Sequence, residues 1–312
     1  MGLQIVGWGT ALPEKTLTNR DLEAQLDTSD QWIRERTGIR ERRIGDSTAE
    51  LAIEAGREAL EHAEVDPASI DMMILCTTTP DQTVPATSAK VHEALGIGGG
   101  AFDLNAACAG FVYGIVVAES LLAANPAKRV LLIGADVLSR ITDWTDRNTA
   151  VLFGDGAGAV VLQGCSDTDG QLLSSDVGAD GSLSGILYAD LGGKMKMEGA
   201  EVFKGAVRAM IGSSRRALES AGHRADEIAL LVPHQANLRI IEAACQRLGI
   251  PADRAAIVLD RTGNTSSASI PLALIDAVRA DRLSDGDLVL LTGFGAGMTW
   301  ASAVVRWRES AR

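Results

Sequence analysis

The hydrophobic positions of this chain form short apolar runs, alternating with longer segments whose apolar residues recur every three or four positions. Short runs bounded by turn residues predict strands, and the 3.6-residue period predicts helices. Strands are predicted over 3–7, 71–76, 101–104, 129–133 and 157–162, with one helix opening near Asn19 and another at the capping box Ser47-x-x-Glu50. A long apolar helix is predicted to follow Cys108. The polar stretch 164–170 breaks the rhythm, which resumes with strands over 228–232, 256–259, 287–291 and 299–305 and helices over 237–248 and 267–279. Alternation of strand and helix predicts an α/β protein.

The second round of elements matches the first. Val130-Leu131-Leu132-Ile133 lies over Leu288-Val289-Leu290-Leu291, and each half then carries a Gly-rich turn before another strand. Cys108 follows an apolar strand and opens a helix in the first half, and Asn264 takes the matching place in the second. Two duplicated units are therefore expected, 1–168 and 169–312, with a ligand site between them.

Composition narrows the class. A chain of 312 residues with 46% hydrophobic residues, 4% aromatics and 33 glycines suits tightly packed α/β layers that need no staples. Cys76, Cys108, Cys165 and Cys245 contain no C-x-x-C pair and no metal-like spacing with the four histidines, so reduced thiols in a cytoplasmic protein are expected, without a disulfide framework or a metal. The longest apolar run, 109–124, is interrupted by Glu119, and no export or lipid signal opens the chain, so no membrane association is expected. A net charge of −12 argues against nucleic acid. An acidic partner would need a local basic patch; Lys204, Arg208 and Arg215 at helical spacing, with Arg239, form either such a patch or an ordinary charged helix face, given Arg216 and Glu219 nearby.

Three polar residues stand out at ends of strands. Cys108 lies in Asn105-Ala106-Ala107-Cys108-Ala109-Gly110-Phe111, where a helix N-terminus lowers a thiol pKa; a buried structural cysteine is the alternative. His234 follows Val232-Pro233, and Asn264 lies in Thr262-Gly263-Asn264-Thr265-Ser266. Taken singly, the histidine could cap a loop and the asparagine a turn. Together a thiolate, an imidazole and an amide suit acyl transfer to sulfur and stabilisation of an enolate whose electrons come from loss of carbon dioxide. The order Cys, His, Asn also occurs in cysteine hydrolases, so these residues alone leave the reaction open. Gly293-x-Gly295-x-Gly297 precedes a strand and Gly96–Gly100 has no following Lys-Ser/Thr, so neither implies a dinucleotide or ATP.

The motifs as an ordered set resemble β-ketoacyl-acyl-carrier-protein synthase III, a condensing-enzyme family of the thiolase fold. They are Thr28-Ser29-Asp30-Gln31-Trp32-Ile33-Arg34-Glu35-Arg36-Thr37-Gly38-Ile39, the Asn105–Phe111 segment, Phe153-Gly154-Asp155-Gly156-Ala157-Gly158-Ala159, residues 232–238, Gly263-Asn264-Thr265-Ser266 and residues 293–300, and they extend over essentially the whole chain. The resemblance implies a five-layered α-β-α-β-α fold and a ping-pong condensation of an acyl-CoA with malonyl-acyl carrier protein, with no cofactor beyond acyl-CoA as substrate. It implies Cys108, His234 and Asn264 as catalytic residues, and the backbone N–H groups of Cys108 and Ala296 as an oxyanion hole, with Ala296 standing where the family has glycine. It also implies Thr28, Trp32, Arg36, Arg147 and Asn237 at coenzyme A, with Trp32 stacked on adenine and the two arginines on phosphates. Leu152, Phe153, Phe294 and Val84 would form the acyl pocket, Val84 reaching across a homodimer into the partner's site. Lys204, Arg208, Arg215 and Arg239 would dock the carrier protein. The alternatives are an acyltransferase of specialised metabolism with the same fold, a cysteine hydrolase, and a catalytically dead partner subunit.

Overall fold

A computed structural model describes residues 2–165 and 171–308. Two sheets carry the architecture. The first has strand order Gly2–Ala11, Asp155–Cys165, Arg129–Val137, Met72–Cys76, Gly100–Leu104, and the second Ile228–Pro233, Leu288–Gly295, Thr299–Arg306, Leu172–Ala179. The strands at 72–76 and 129–137 are parallel and buried almost throughout, as the apolar runs Met72–Cys76 and Val130–Ala135 require, whereas Gly2–Ala11 alternates half-buried and buried residues. Helices Gly110–Ala124 and Ser269–Arg279 lie between the sheets, with Phe111, Val112, Ile115, Ile270 and Leu274 in one shared core. Thr48–His62 and Thr87–Leu95 cover the outer face of the first sheet, and Gly199–Ala221 and Leu238–Leu248 that of the second. Five layers result, α-β-α-β-α.

The duplication is visible in the pairing. Cys76 pairs with Gly134 in the first sheet and Pro233 with Thr292 in the second, each at the end of a parallel ladder. The fifth strand has no full counterpart: the predicted strand at 256–259 is a single bridge between Leu231 and Ala255, followed by a helical turn Leu259–Thr262. Gln235 Oε1 accepts the N–H groups of Val258 and Leu259 at 2.9 and 3.2 Å, satisfying donors that a strand would have paired. The strand Leu172–Ala179 escapes a hydrophobic reading because Ser174, Ser175 and Asp176 fill its middle, which an edge strand tolerates. Residues 166–170, which include the expected unit boundary at 168, lie outside the described residues.

The segment Ala107–Ala124 is long and apolar enough to cross a membrane by length and composition. Its burial between the two sheets explains that composition: Ala109, Phe111, Val112, Ala118 and Leu122 are all at most 1% exposed.

Candidate active site

Cys108, His234 and Asn264 line one cavity of about 650 Å³, together with Leu152, Phe153, Phe294 and Ala296. Each arrives by a different route. Cys108 sits in the 3-10 turn Ala107–Ala109 immediately before the helix Gly110–Ala124. Ala107 adopts φ of 48°, the left-handed region, and its N–H is held by Asn105 Oδ1 at 3.1 Å. Gly295 lets the end of its strand approach this turn, since a Cβ built there would stand 2.6 Å from Cys108 N. Ala296 beside it has no left-handed φ, so alanine fits where a glycine was expected.

The thiol departs from the expectation of a lowered pKa. Burial pushes it up to about 12; the Ser266 hydroxyl and the cysteine's own N–H oppose that rise, and the negative charge of Asp136 adds to it. Only the helix-terminal position survives from the argument for an activated thiolate. Ser266 Oγ itself is buried with no hydrogen bond within ordinary geometric limits, so its help to the sulfur is weak in the resting thiol.

His234 is 1% exposed, and burial lowers its pKa to about 3, so the ring is neutral. Its N–H is fixed by Thr292 O at 2.8 Å, and its ring packs edge-on to Phe294 with centroids 5.3 Å apart. Nδ1 meets the hydroxyl of Ser269, the first residue of the helix Ser269–Arg279, at 2.6 Å. With that hydroxyl donating, the ring proton sits on Nε2, the remaining nitrogen and a hydrogen-bond donor. Sequence reasoning missed Ser269, although it lies within the same Gly/Ser/Thr-rich run as Asn264.

Asn264 is held on both sides. Its N–H donates to Leu152 O and its carbonyl accepts from Gly154 N, each at 2.9 Å, while Oδ1 accepts the N–H of Ser266 at 2.9 Å. The side-chain oxygen is thus occupied and the NH2 remains as the free donor. This turn repeats the one before Cys108: Asn264 Oδ1 caps Ser266 as Asn105 Oδ1 caps Ala107, and Ser266 has φ of 51°. Aligned by these turns, Asn264 corresponds to Asn105, and the residue at the duplicated place of Cys108 is Ser267. The duplication expected from sequence is therefore shifted by three residues at this point.

Of the coenzyme A candidates, Trp32, Arg36 and Asn237 line the cavity and Thr28 and Arg147 do not. The Arg147 guanidinium stands 4.9 Å from the Trp32 ring centre and Arg36 6.0 Å, so Arg147 rests on the indole. Arg147 also donates to Asp27 O at 2.9 Å. Asn237 caps the helix Leu238–Leu248 by accepting from Arg239 N, and Thr28 Oγ1 is buried without a hydrogen-bond partner.

Val84 is 81% exposed and lines no part of its own chain's cavity. Arg239 lines the cavity beside Phe203, its guanidinium 5.8 Å from that ring. Lys204 and Arg208 are exposed on the helix Gly199–Ala221, with Lys204 paired to Glu201 at 2.8 Å. Arg215 is roughly 16 Å further along that helix than Lys204, at 1.5 Å per residue, and donates to Arg247 O. Lys204, Arg208 and Arg215 are all outside the cavity lining.

Models of the 3-oxoacyl-[acyl-carrier-protein] synthase III family match residues 102–181 and of its C-terminal part residues 218–307. A β-ketoacyl-[acyl-carrier-protein] synthase III of Roseiflexus castenholzii is 52% identical over 97% of this chain and 97% of its own. The chain belongs to the β-ketoacyl-acyl-carrier-protein synthase III family. The synthase III of Aquifex aeolicus superposes with a TM-score of 0.95 at 45% identity, over 98% of this chain and all of that one. That of Pseudomonas aeruginosa gives 0.94 at 43% identity, over 99% of each chain. The five layers described above are accordingly the thiolase fold of that family, and the chain is an acyltransferase of the condensing type.

Proposed function

We propose that the chain initiates fatty-acid synthesis by decarboxylative condensation, with Cys108, His234 and Asn264 as its catalytic residues. The Cys108 thiol attacks an acyl-CoA, an acyl-sulfur bond forms, and coenzyme A leaves carrying the thiol proton. Malonyl-acyl carrier protein then loses carbon dioxide, and the electron pair of the broken carbon–carbon bond becomes an enolate. His234 Nε2–H and Asn264 Nδ2–H donate to the enolate oxygen as charge develops there. The carbanion attacks the Cys108 thioester, whose oxygen is held by the N–H groups of Cys108 and Ala296, and the cysteine sulfur is expelled as thiolate, releasing β-ketoacyl-acyl carrier protein and taking up a proton from water to restore the thiol. Carbon dioxide loss supplies the electron pair, so no resident cofactor is required.

The observation that carries this reading is the pair of donors left beside Cys108 in one cavity: the Ser269 hydroxyl occupies His234 Nδ1 and the Ser266 N–H occupies Asn264 Oδ1, which leaves Nε2–H and the amide NH2 as donors, and burial favours the neutral imidazole. A cysteine hydrolase of the papain kind uses a thiolate–imidazolium pair, with the thiol pKa depressed to about 3–4. A neutral ring with its proton on Nε2 is instead a donor suited to an enolate. We assign Thr28, Trp32, Arg36, Arg147 and Asn237 to coenzyme A, the adenine entering between Trp32 and Arg147. Lys204, Arg208 and Arg239 dock the acidic carrier protein at the cavity mouth. The working form is a cytoplasmic homodimer in which exposed Val84 closes the partner's acyl pocket, admitting starters larger than acetyl.

The test is to mix the protein with acetyl-, butyryl- and isobutyryl-CoA, weigh the adduct, and add malonyl-acyl carrier protein. A Cys108 adduct that is released with carbon dioxide as a product two carbons longer is the expected result. Hydrolysis of the adduct without condensation would overturn the reaction, and an adduct with acetyl alone would overturn the assignment of Val84.

A further inference from the structure

The pseudo-symmetry places a second set of residues opposite the catalytic one. Leu75 pairs with Ile133 and Val232 with Leu291, so three residues further along the two central strands Asp136 corresponds to Phe294. One residue beyond Cys76 and Pro233, Thr77 corresponds to His234. With Ser267 at the place of Cys108 and Asn105 at that of Asn264, the duplicated counterpart of the catalytic corner is Ser267, Thr77, Asn105 and Asp136. Three of these four meet in a closed cluster. Asp136 is 0% exposed, and its Oδ1 receives Thr77 Oγ1 at 3.1 Å, Thr78 N and Oγ1 at 2.7 and 2.9 Å, and Thr79 N and Oγ1 at 3.1 and 2.8 Å. Its Oδ2 receives Ser267 N at 3.0 Å and Ser267 Oγ at 2.6 Å, and the same hydroxyl lies 2.7 Å from Cys76 O.

All these donors are neutral hydroxyls and amides. A buried carboxylate is costly unless its lone pairs are filled, and one filled from both halves ties those halves together. Thr77–Thr79 belong to the first half, and Thr78 is part of the cavity wall. Ser267 belongs to the second and lies three residues from Asn264, in the turn whose first N–H Asn264 itself caps. Gly134 allows the two backbones to close here, since a Cβ built on it would stand 2.4 Å from Ser267 O.

We propose that Asp136 is a positioning residue for condensation, pinning the Asn264 turn of the second half onto the first half so that the amide donor of Asn264 stays aligned with the enolate formed beside Cys108. This rests on the condensing function proposed above. Decarboxylation needs Asn264 in place; acylation of Cys108 does not. The two half-reactions should therefore respond differently to loss of the anchor. The negative charge of Asp136 also opposes ionisation of Cys108 after the larger effect of burial, so removing it should make the thiol easier to ionise.

The experiment compares wild type, Asp136→Asn and Ser267→Ala in Cys108 acylation by acyl-CoA, carbon dioxide release from malonyl-acyl carrier protein, and the pH profile of Cys108 alkylation by iodoacetamide. Asp136→Asn should slow carbon dioxide release about ten-fold or more while acylation stays within about three-fold, as loss of a preorganised donor predicts. Its alkylation profile should shift to lower pH. Equal slowing of both half-reactions, or unchanged carbon dioxide release, overturns the proposal. Where Asp136→Asn does not fold, Ser267→Ala decides: it keeps the charge and one backbone bond, and should slow carbon dioxide release about three-fold with an unshifted alkylation profile. Unaltered release in that variant overturns the proposal too. A wild type that neither takes an acyl group nor releases carbon dioxide overturns the condensing function itself, which separates that failure from this one.

Discussion

Cys108 and Ser267 occupy the same place in two copies of one turn. Each follows a left-handed residue capped by an asparagine, and each precedes a helix buried between the sheets. Cys108 keeps partial access to a 650 Å³ cavity, whereas Ser267 is 1% exposed and bonded to Asp136 and Cys76 O. The difference lies in what stands above each turn. Phe294 packs beside His234 and borders the cavity; Asp136, at the equivalent strand position, draws three consecutive threonines and a serine onto itself. One copy opens onto a cavity, and the other is a hydrogen-bonded seal.

The sharpest break of that comparison is to exchange the two residues. Cys108→Ala should abolish acyl-enzyme formation, a loss of at least about 10³-fold read by intact mass. Adding Ser267→Cys should restore nothing, because the second turn is closed; an acyl adduct on residue 267 would show that the seal is open. Asn264→Ala comes next. It should lower carbon dioxide release from malonyl-acyl carrier protein by about 10²–10³-fold with Cys108 acylation retained, and parallel loss of both would remove the assignment of Asn264 to the enolate.

A smaller effect is expected at the entrance. Trp32→Ala should raise KM for acyl-CoA roughly ten-fold with little change in kcat, as loss of uniform binding requires; a fall confined to kcat would move Trp32 out of the coenzyme A site. The smallest effect is on stability. His234 titrates near 6.5 when unfolded and at about 3 when folded, so the unfolded chain takes up a proton that the folded one refuses. Stability from this group is full above pH 6.5 and declines as pH falls towards 3, by roughly 1.4 kcal/mol per pH unit. Denaturant midpoints of wild type and His234→Asn between pH 7 and 5 should show the steeper decline in wild type.

The strand and helix rhythm, the duplication and the polar residues Cys108 and His234 beyond strand ends were legible in the sequence because each depends on local periodicity or on one residue type at one turn, whereas Asn264 follows the helical turn Leu259–Thr262 and not the strand expected before it. Elements with mixed patterns were not. Leu172–Ala179 is polar in its centre because only one neighbour pairs with it, and the 256–259 run looks like a strand until Gln235 takes its donors. Asp136 sits in a strand of otherwise buried residues, where a lone carboxylate gives no hint of seven donors drawn from two distant segments.

For Cys108, the sequence by itself determined a thiol at the mouth of a helix. It also determined the alternating pattern that brings two such helices back to back. Tertiary structure decided the surroundings of the thiol, where burial raises its pKa against the helix terminus, and decided that its duplicated partner is Ser267 and not Asn264. Both follow from long-range packing. Desolvation depends on every segment that closes over a group, and a register between two halves is set by which backbones meet across the core.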